Sequence, residues 1–204
     1  IENSFTKCAS NSIRIEPTNY RGKFELIDNY FTECNLGNII GIPENEAHTK
    51  LNQVPIIKGN TFENNQNNNH FEIRLDSNVN SLLFENNTFK NHVSSKGGFG
   101  SNIIISSSSF EISFSNCYFI ESSQTTDGGG FKSTISQAKL IFDGCTFSKN
   151  TANGNGGAIY INTQQESVIS NCIFNENKAS ANGGAIYTDN NQKTTISKCT
   201  FTSN

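Results

Sequence analysis

The stretch CTFSKNTANGNGGAIY, from Cys145 to Tyr160, decides the fold, because it recurs as CIFNENKASANGGAIY from Cys172 to Tyr187. The second copy begins 27 residues after the first (172 − 145), and it keeps the cysteine, the phenylalanine, an asparagine and a Gly-Gly pair in register. A fixed period of this length indicates a repeat architecture, in which each unit packs only on its neighbours.

The period extends over the whole chain when each copy is aligned on the phenylalanine at its third position. Successive anchors lie 26–31 residues apart, and the residue five positions before each anchor is apolar from Leu26 onward. The residue two positions before each anchor is asparagine or cysteine. We predict that the eight anchors form one interior column: Phe5, Phe31, Phe62, Phe89, Phe119, Phe147, Phe174 and Phe201.

The local pattern around each anchor is that of a strand. The anchor and the residue two before it share one face, so the residue between them, such as Thr146, faces solvent. Helical periodicity is interrupted throughout by glycine and asparagine. The period is too short for a propeller blade and lacks a leucine ladder. Short parallel strands stacked about 4.8 Å apart therefore predict an all-β solenoid, a single-stranded parallel β-helix of about seven coils of 26–31 residues.

Two motifs in register also resemble a known family. The motifs GGAIY and F-x-x-N resemble the repeats of polymorphic outer membrane proteins, which occur in chlamydial surface proteins and in surface proteins of some protists. GGAIY occurs at Gly156–Tyr160 and Gly183–Tyr187, and F-x-x-N occurs at Phe62–Asn65, Phe147–Asn150, Phe174–Asn177 and Phe201–Asn204. The resemblance implies a right-handed parallel β-helix of the pectate-lyase-like type. It also implies a role in adhesion and display at the cell surface.

The resemblance is uneven along the chain. It is sharp over residues 117–204 and weaker over 1–116, where the glycine pair and often the cysteine are lost. We expect residues 1–204 to form one β-helix segment, with degenerate coils in 1–116 and regular coils in 117–204. Because the sequence begins without methionine or an apolar leader, we also expect it to be a fragment of a longer solenoid.

The six cysteines fall into two columns. Stacked cysteines have Cα atoms about 4.8 Å apart, which a disulfide tolerates, but parallel side chains do not readily reach its dihedral angle. Buried free thiols are therefore one expectation, and disulfides between coils, most simply Cys8–Cys34, are the other. No Cys-x-x-Cys motif is present, so no metal site is predicted. The cysteine ladder two residues before the anchors comprises Cys117, Cys145, Cys172 and Cys199.

The aligned positions do not bring acids and a base together on one face, as catalysis would need. The best cluster is Lys58, Glu85 and Asp143, each four residues before an anchor. The coil of Ser115 separates the two acids, which places their Cα atoms about 10 Å apart. The same residues also fit a solvated outer column in which Lys58 and Glu85 pair across strands. We therefore assign no catalytic residue, no cofactor and no metal ligand.

The outward positions offer weaker signals. The threonine column is interrupted by Tyr30, Tyr118 and Ile173, which disfavours an ice-binding plane. Tyr30 and Tyr118 could contact sugar, although isolated surface aromatics are common. Asn86, in Asn86-Asn87-Thr88, begins the one N-x-S/T sequon and is a possible N-glycosylation site. The long segments 35–55 and 94–113 are either binding loops or tolerated variations in coil length.

Charge and composition exclude some classes of function. The net charge is −3 and no basic stripe is present, so we expect no nucleic-acid partner. Hydrophobic content is only 34%, but 16 phenylalanines argue against disorder. We expect a non-enzymatic extracellular or cell-surface solenoid for adhesion, display or a structural fibre or coat. The alternatives are a structural spacer and a carbohydrate-active β-helix enzyme whose active cluster lies outside this sequence. Expected partners are more coils, an end-to-end copy, or host or matrix glycans and proteins.

Overall fold

A computed structural model describes residues 3–6, 25–33, 40–41, 55–64, 73–75, 80–94, 103–105, 110–189 and 193–204. Within these ranges the chain consists of short strands joined by tight bends, without an α-helix. Among the same residues, no helical segment is long or apolar enough to cross a bilayer.

The described strands assemble into five sheets and pair in parallel, as between Phe119 and Phe147. Sheet 1 has eight strands: Asn3–Thr6, Asn29–Thr32, Thr61–Glu63, Thr88–Lys90, Tyr118–Ile120, Thr146–Ser148, Ile173–Asn175 and Thr200–Thr202. Sheet 2 has seven strands: Glu25–Ile27, Ile56–Lys58, Ser81–Glu85, Phe110–Ser115, Ala138–Asp143, Ser167–Ser170 and Thr194–Ser197.

Three smaller sheets complete the coils. Sheet 3 has the strands Val93–Ser94, Ser123–Gln124, Thr151–Ala152 and Lys178–Ala179. Sheet 4 has Ile40–Gly41, Ile73–Leu75 and Ile103–Ile105. Sheet 5 has Phe131–Ser133, Ile159–Ile161 and Ile186–Thr188. From the strand Thr88–Lys90 onward, the chain visits sheet 1, sheet 3, sheet 4 or 5 and then sheet 2 before it returns to sheet 1 one coil further along.

This path makes the molecule a right-handed parallel β-helix, so the predicted fold is confirmed. The solenoid has about five turns, slightly fewer than the seven coils predicted. Each anchor adds a strand to sheet 1, but among the described residues sheet 3 begins only at Val93.

Each coil bends where one residue adopts a left-handed backbone conformation. Between sheets 2 and 1 this residue lies three before the anchor, with φ of 51–66°. After sheet 1 it lies two beyond the anchor, with φ of 52–57°. Asparagine and glycine are favoured at the first of these bends because they tolerate this conformation best. The first set comprises Asp28, Gly59, Asn86, Asn116, Gly144, Asn171 and Lys198.

The Gly-Gly pair makes a third bend, before sheet 5. Gly156 has a φ of 69°, which a residue with a side chain rarely adopts. A Cβ on the next residue, Gly157, would lie 2.0 Å from the carbonyl oxygen of Gly184 in the following coil. The first glycine therefore supplies the turn, and the second allows two backbones to approach closely.

The interior is built from stacked phenylalanine rings. Along sheet 1, the rings from Phe31 to Phe201 stack with centroids 4.6–5.2 Å apart. A second stack on sheet 2 comprises Phe84, Phe114 and Phe142, with spacings of 4.7 and 4.9 Å. Its rings meet those of the first stack edge to face, a favourable aromatic geometry.

The two ends of the anchor column differ from its middle. Phe201 stacks on Phe174 but is 49% exposed, because it lies on the last strand of sheet 1. The strand that carries Phe5 pairs in register with the strand of Phe31. The side chain of Phe5 lies outside the described part of the structure.

We expect Phe147→Ala to lower the free energy of unfolding by about 3–5 kcal/mol, because the ring is fully buried between two others. Chemical denaturation measures this loss. The neighbouring Thr146→Ser is the control, since Thr146 faces outward, and it should cost far less. Equal losses in the two variants would show that this assignment of inward and outward faces is wrong.

Candidate interaction surface

Two ladders of inward polar side chains hold the bends on either side of sheet 1. In the first ladder, two residues before the anchors, the Asn60 amide nitrogen donates to the Leu26 carbonyl at 2.8 Å and to Asn87 Oδ1 at 3.0 Å. The backbone nitrogen of Asn60 donates to the same Oδ1 at 2.9 Å. Each side chain therefore joins its own coil to both neighbouring coils.

The second ladder explains the asparagine of the F-x-x-N motif. The Asn150 amide nitrogen donates to the Phe119 carbonyl at 2.8 Å and to Asn177 Oδ1 at 2.9 Å. Asn177 repeats the pattern with the Phe147 carbonyl and with Asn204. Both Asn150 and Asn177 are fully buried, and these bonds satisfy amide groups that would be costly to bury unpaired.

Cysteine thiols continue the first ladder from Cys117 onward. The sulfur of Cys145 donates to the carbonyls of Phe114, at 3.4 Å, and Asp143, at 3.6 Å. The Asn60 amide donates to the equivalent carbonyls, that of Lys58 in its own coil and that of Leu26 in the preceding coil. The thiol is therefore a weaker hydrogen-bond donor in the place of an amide.

The four ladder cysteines have free thiols, and all but Cys199 are buried. Hydrogen bonds in which the protonated Cys145 thiol is the donor to the sulfurs of Cys117 and Cys172, together with burial, raise the pKa of Cys145 far above its usual range. Burial also raises the pKa of Cys199. A thiol held protonated, as in Cys145 and Cys199, is a poor nucleophile and metal ligand. The described residues contain no group of three or more potential metal ligands. Cys8 and Cys34, the predicted disulfide pair, lie outside the described residues.

Alkylation of the native protein should distinguish these thiols. We expect iodoacetamide at pH 8 to modify Cys199 first, because it is half-exposed, whereas Cys117, Cys145 and Cys172 should react only after unfolding. Peptide mass spectrometry measures each site, and a sample in denaturant is the control for full reactivity. Modification of Cys145 as fast as Cys199 in the native protein would contradict the buried ladder.

The three residues of the charged column, Lys58, Glu85 and Asp143, do not contact one another as a group. Lys58 Nζ lies 3.0 Å from Glu85 Oε1, as a pair between coils. Asp143 accepts hydrogen bonds from Ser170 Oγ and Asn171 Nδ2, each at 2.7 Å, which lower its pKa. The residue between the two acids is Ser115, which pairs with Glu85 on one side and Asp143 on the other.

The outer face of sheet 1 is uncharged over its last four strands. Tyr118 and Ile173 are 46% and 47% exposed and lie in one column, with Thr146 between them. The two exposed side chains are therefore about 10 Å apart, two strand spacings. We call this surface the uncharged face, and its eight outward residues are Tyr118, Ile120, Thr146, Ser148, Ile173, Asn175, Thr200 and Thr202.

The preceding strands of sheet 1 present charge and a cavity. The Tyr30 hydroxyl donates to Glu63 Oε2 at 2.5 Å, and Lys90 Nζ lies 3.4 Å from Glu63 Oε1. Beside Tyr30 lies an open cavity of about 290 Å³. Tyr30 was predicted as a possible sugar contact, but its bond to Glu63 was not, because Glu63 lies 33 residues away in the chain and no local pattern links the two.

The sequon residue Asn86 is exposed at the bend between sheets 2 and 1, with a φ of 54°. Its amide nitrogen lies 3.4 Å from Glu85 Oε1. The next residue, Asn87, is buried in the first ladder. Asn86 is therefore sterically accessible, and its glycosylation stays a prediction.

A further polar cluster on sheet 5 was not found from the sequence. The rings of Tyr160 and Tyr187, the last residues of the two GGAIY motifs, stack 5.7 Å apart. Lys132 Nζ lies 5.4 Å from the centre of the Tyr160 ring and 3.3 Å from Asp127 Oδ2. Tyr160 is buried, which raises its pKa, so this cluster fastens coils together rather than presenting a contact surface.

Comparison with known proteins agrees with this geometry. No curated protein and no solved structure gives a significant match. The family model described as the right-handed beta helix region matches residues 52–204, about three quarters of the chain. The chain therefore belongs to the right-handed β-helix family.

Proposed function

We propose that the protein is a non-enzymatic, extracellular or cell-surface β-solenoid for adhesion or display, and that its uncharged face contacts neutral glycans. The observation that carries the proposal is the composition of that face. Its eight outward residues include no charged side chain, although 16% of the whole sequence is charged. Two of its large side chains, Tyr118 and Ile173, are nearly half exposed.

The chemistry of the uncharged face suits a neutral, hydroxyl-rich partner. A charged partner would lose hydration on binding without gaining an opposite charge. The Tyr118 ring offers an apolar surface for the C–H face of a sugar, and its hydroxyl offers a hydrogen bond. Thr146 and Ser148 add hydroxyls that both donate and accept. Parallel strands of this regular spacing present these groups on a broad, shallow surface that suits a polymer.

The resemblance of GGAIY and F-x-x-N to the repeats of polymorphic outer membrane proteins supports display at a cell surface. The state of the two acids in the charged column supports a role without catalysis. Glu85 is paired with Lys58, and Asp143 accepts two hydrogen bonds that lower its pKa. A general acid needs a raised pKa and a partner group on the same substrate bond.

Binding to insoluble neutral polysaccharides tests the proposal. We expect the wild type to be depleted from solution by microcrystalline cellulose or chitin. The double variant Tyr118→Ser, Ile173→Ser should bind about tenfold more weakly, because it removes the two exposed contact side chains. Val93→Ser is the matched control, since Val93 is equally exposed but lies on sheet 3.

Three outcomes would contradict the proposal. The first is a wild type that binds neither polysaccharide, and the second is a double variant that binds as well as wild type. The third is release of reducing ends during the incubation, which would indicate a carbohydrate-active enzyme. Circular dichroism of each variant confirms that any loss of binding occurs in folded protein.

A further inference from the structure

The open cavity of about 290 Å³ lies at the bend between sheets 2 and 1, beside the strands Asn29–Thr32 and Thr61–Glu63. Its size is near the lower end of the range for small-molecule sites, so it suits a small ligand. Its lining is mostly polar. The residues that line it are Asp28, Asn29, Tyr30, Gly59 and Thr61.

A glycine opposite a carboxylate shapes the floor of the cavity. Gly59 has a φ of 66°, and a Cβ built on it would lie 2.0 Å from Asp28 Oδ1. Any side chain at this position would therefore push the carboxylate aside and occupy the cavity. In the same column, a Cβ built on Gly144 would meet the side-chain amide of Asn116. The Gly59 bend therefore differs from the Gly144 bend in having a carboxylate at this place.

The aromatic wall is held in place before a ligand arrives. Tyr30 is 38% exposed, and its hydroxyl donates to Glu63, which Lys90 also contacts. This bond lowers the pKa of Glu63 and raises that of Tyr30, as expected for a phenol held by a carboxylate. A ring fixed in this way loses little conformational freedom on binding.

The polar groups of the lining have separate roles. The Asn29 amide nitrogen is occupied inside the ladder, where it donates to Asn60 Oδ1 and to the Ile27 carbonyl. Asp28 therefore supplies a carboxylate acceptor and Thr61 supplies a hydroxyl. Among the described residues, the cavity lining includes no cationic side chain that could pair with a phosphate or a uronate.

We propose that this cavity binds one neutral pyranose ring. The sugar packs its C–H face on Tyr30 and donates hydroxyl hydrogen bonds to Asp28, with Thr61 as a further partner. The cavity lies on earlier strands than the uncharged face and shares no residue with it. The proposal therefore stands even if the uncharged face does not bind polysaccharide.

Saturation-transfer NMR with soluble sugars tests the cavity directly. We use D-glucose, D-galactose, D-mannose and D-glucuronate, each at about 10 mM, a concentration suited to millimolar affinity. We expect at least one of the three neutral hexoses to receive saturation from the wild type, and glucuronate to receive much less. The signal should fall at least about fivefold in Tyr30→Ala and in Asp28→Asn.

Thr88→Ala is the matched control, because Thr88 occupies the position of Thr61 one strand further along sheet 1 and does not line the cavity. It should leave the signal unchanged. Asp28→Asn keeps a residue that tolerates the bend, so it provides the test if Tyr30→Ala fails to fold. Absence of signal from every neutral hexose, or signal retained in both variants, overturns the proposal. An equal signal from glucuronate also overturns it.

Discussion

The hydrogen bond from an inward side chain at a bend to a backbone carbonyl of the preceding coil is the interaction on which the rest of the structure depends. At each bend the backbone turns toward the core, and its buried polar groups require partners there. Asn60 provides this bond to Leu26, Asn150 to Phe119 and Cys145 to Phe114. Because each bond reaches one coil back, the ladders fix the register of the whole solenoid.

That register determines which residues remain available for function. Once the bends are fixed, Phe147 must stack on Phe119 and Phe174, and the interior positions admit few alternatives. The outward positions between them carry no such constraint, so they differ from coil to coil. The same sheet therefore presents the charged group of Tyr30, Glu63 and Lys90 at one end and the uncharged face at the other. The structural repeat and the candidate binding surfaces occupy opposite faces of the same strands.

The sequence predicted the fold because the interior repeats visibly: the spacing of Phe119, Phe147 and Phe174 is enough to establish parallel stacking. It did not predict the cavity, because the approach of Asp28 to Gly59 depends on which bend residues lie next to each other in space. Coil length varies from 26 to 31 residues, so outward neighbours are harder to align than interior ones.

A double-mutant cycle between Asn150 and Asn177 tests the central claim most directly, since the two side chains bond to each other at 2.9 Å. We predict that the unfolding free energies of Asn150→Ala, Asn177→Ala and the double variant give a coupling of about 1–3 kcal/mol. Asn150 and Asn60, which lie in different ladders, should be additive within about 0.5 kcal/mol. A coupling between Asn150 and Asn177 no larger than that of the Asn150–Asn60 pair would contradict the account.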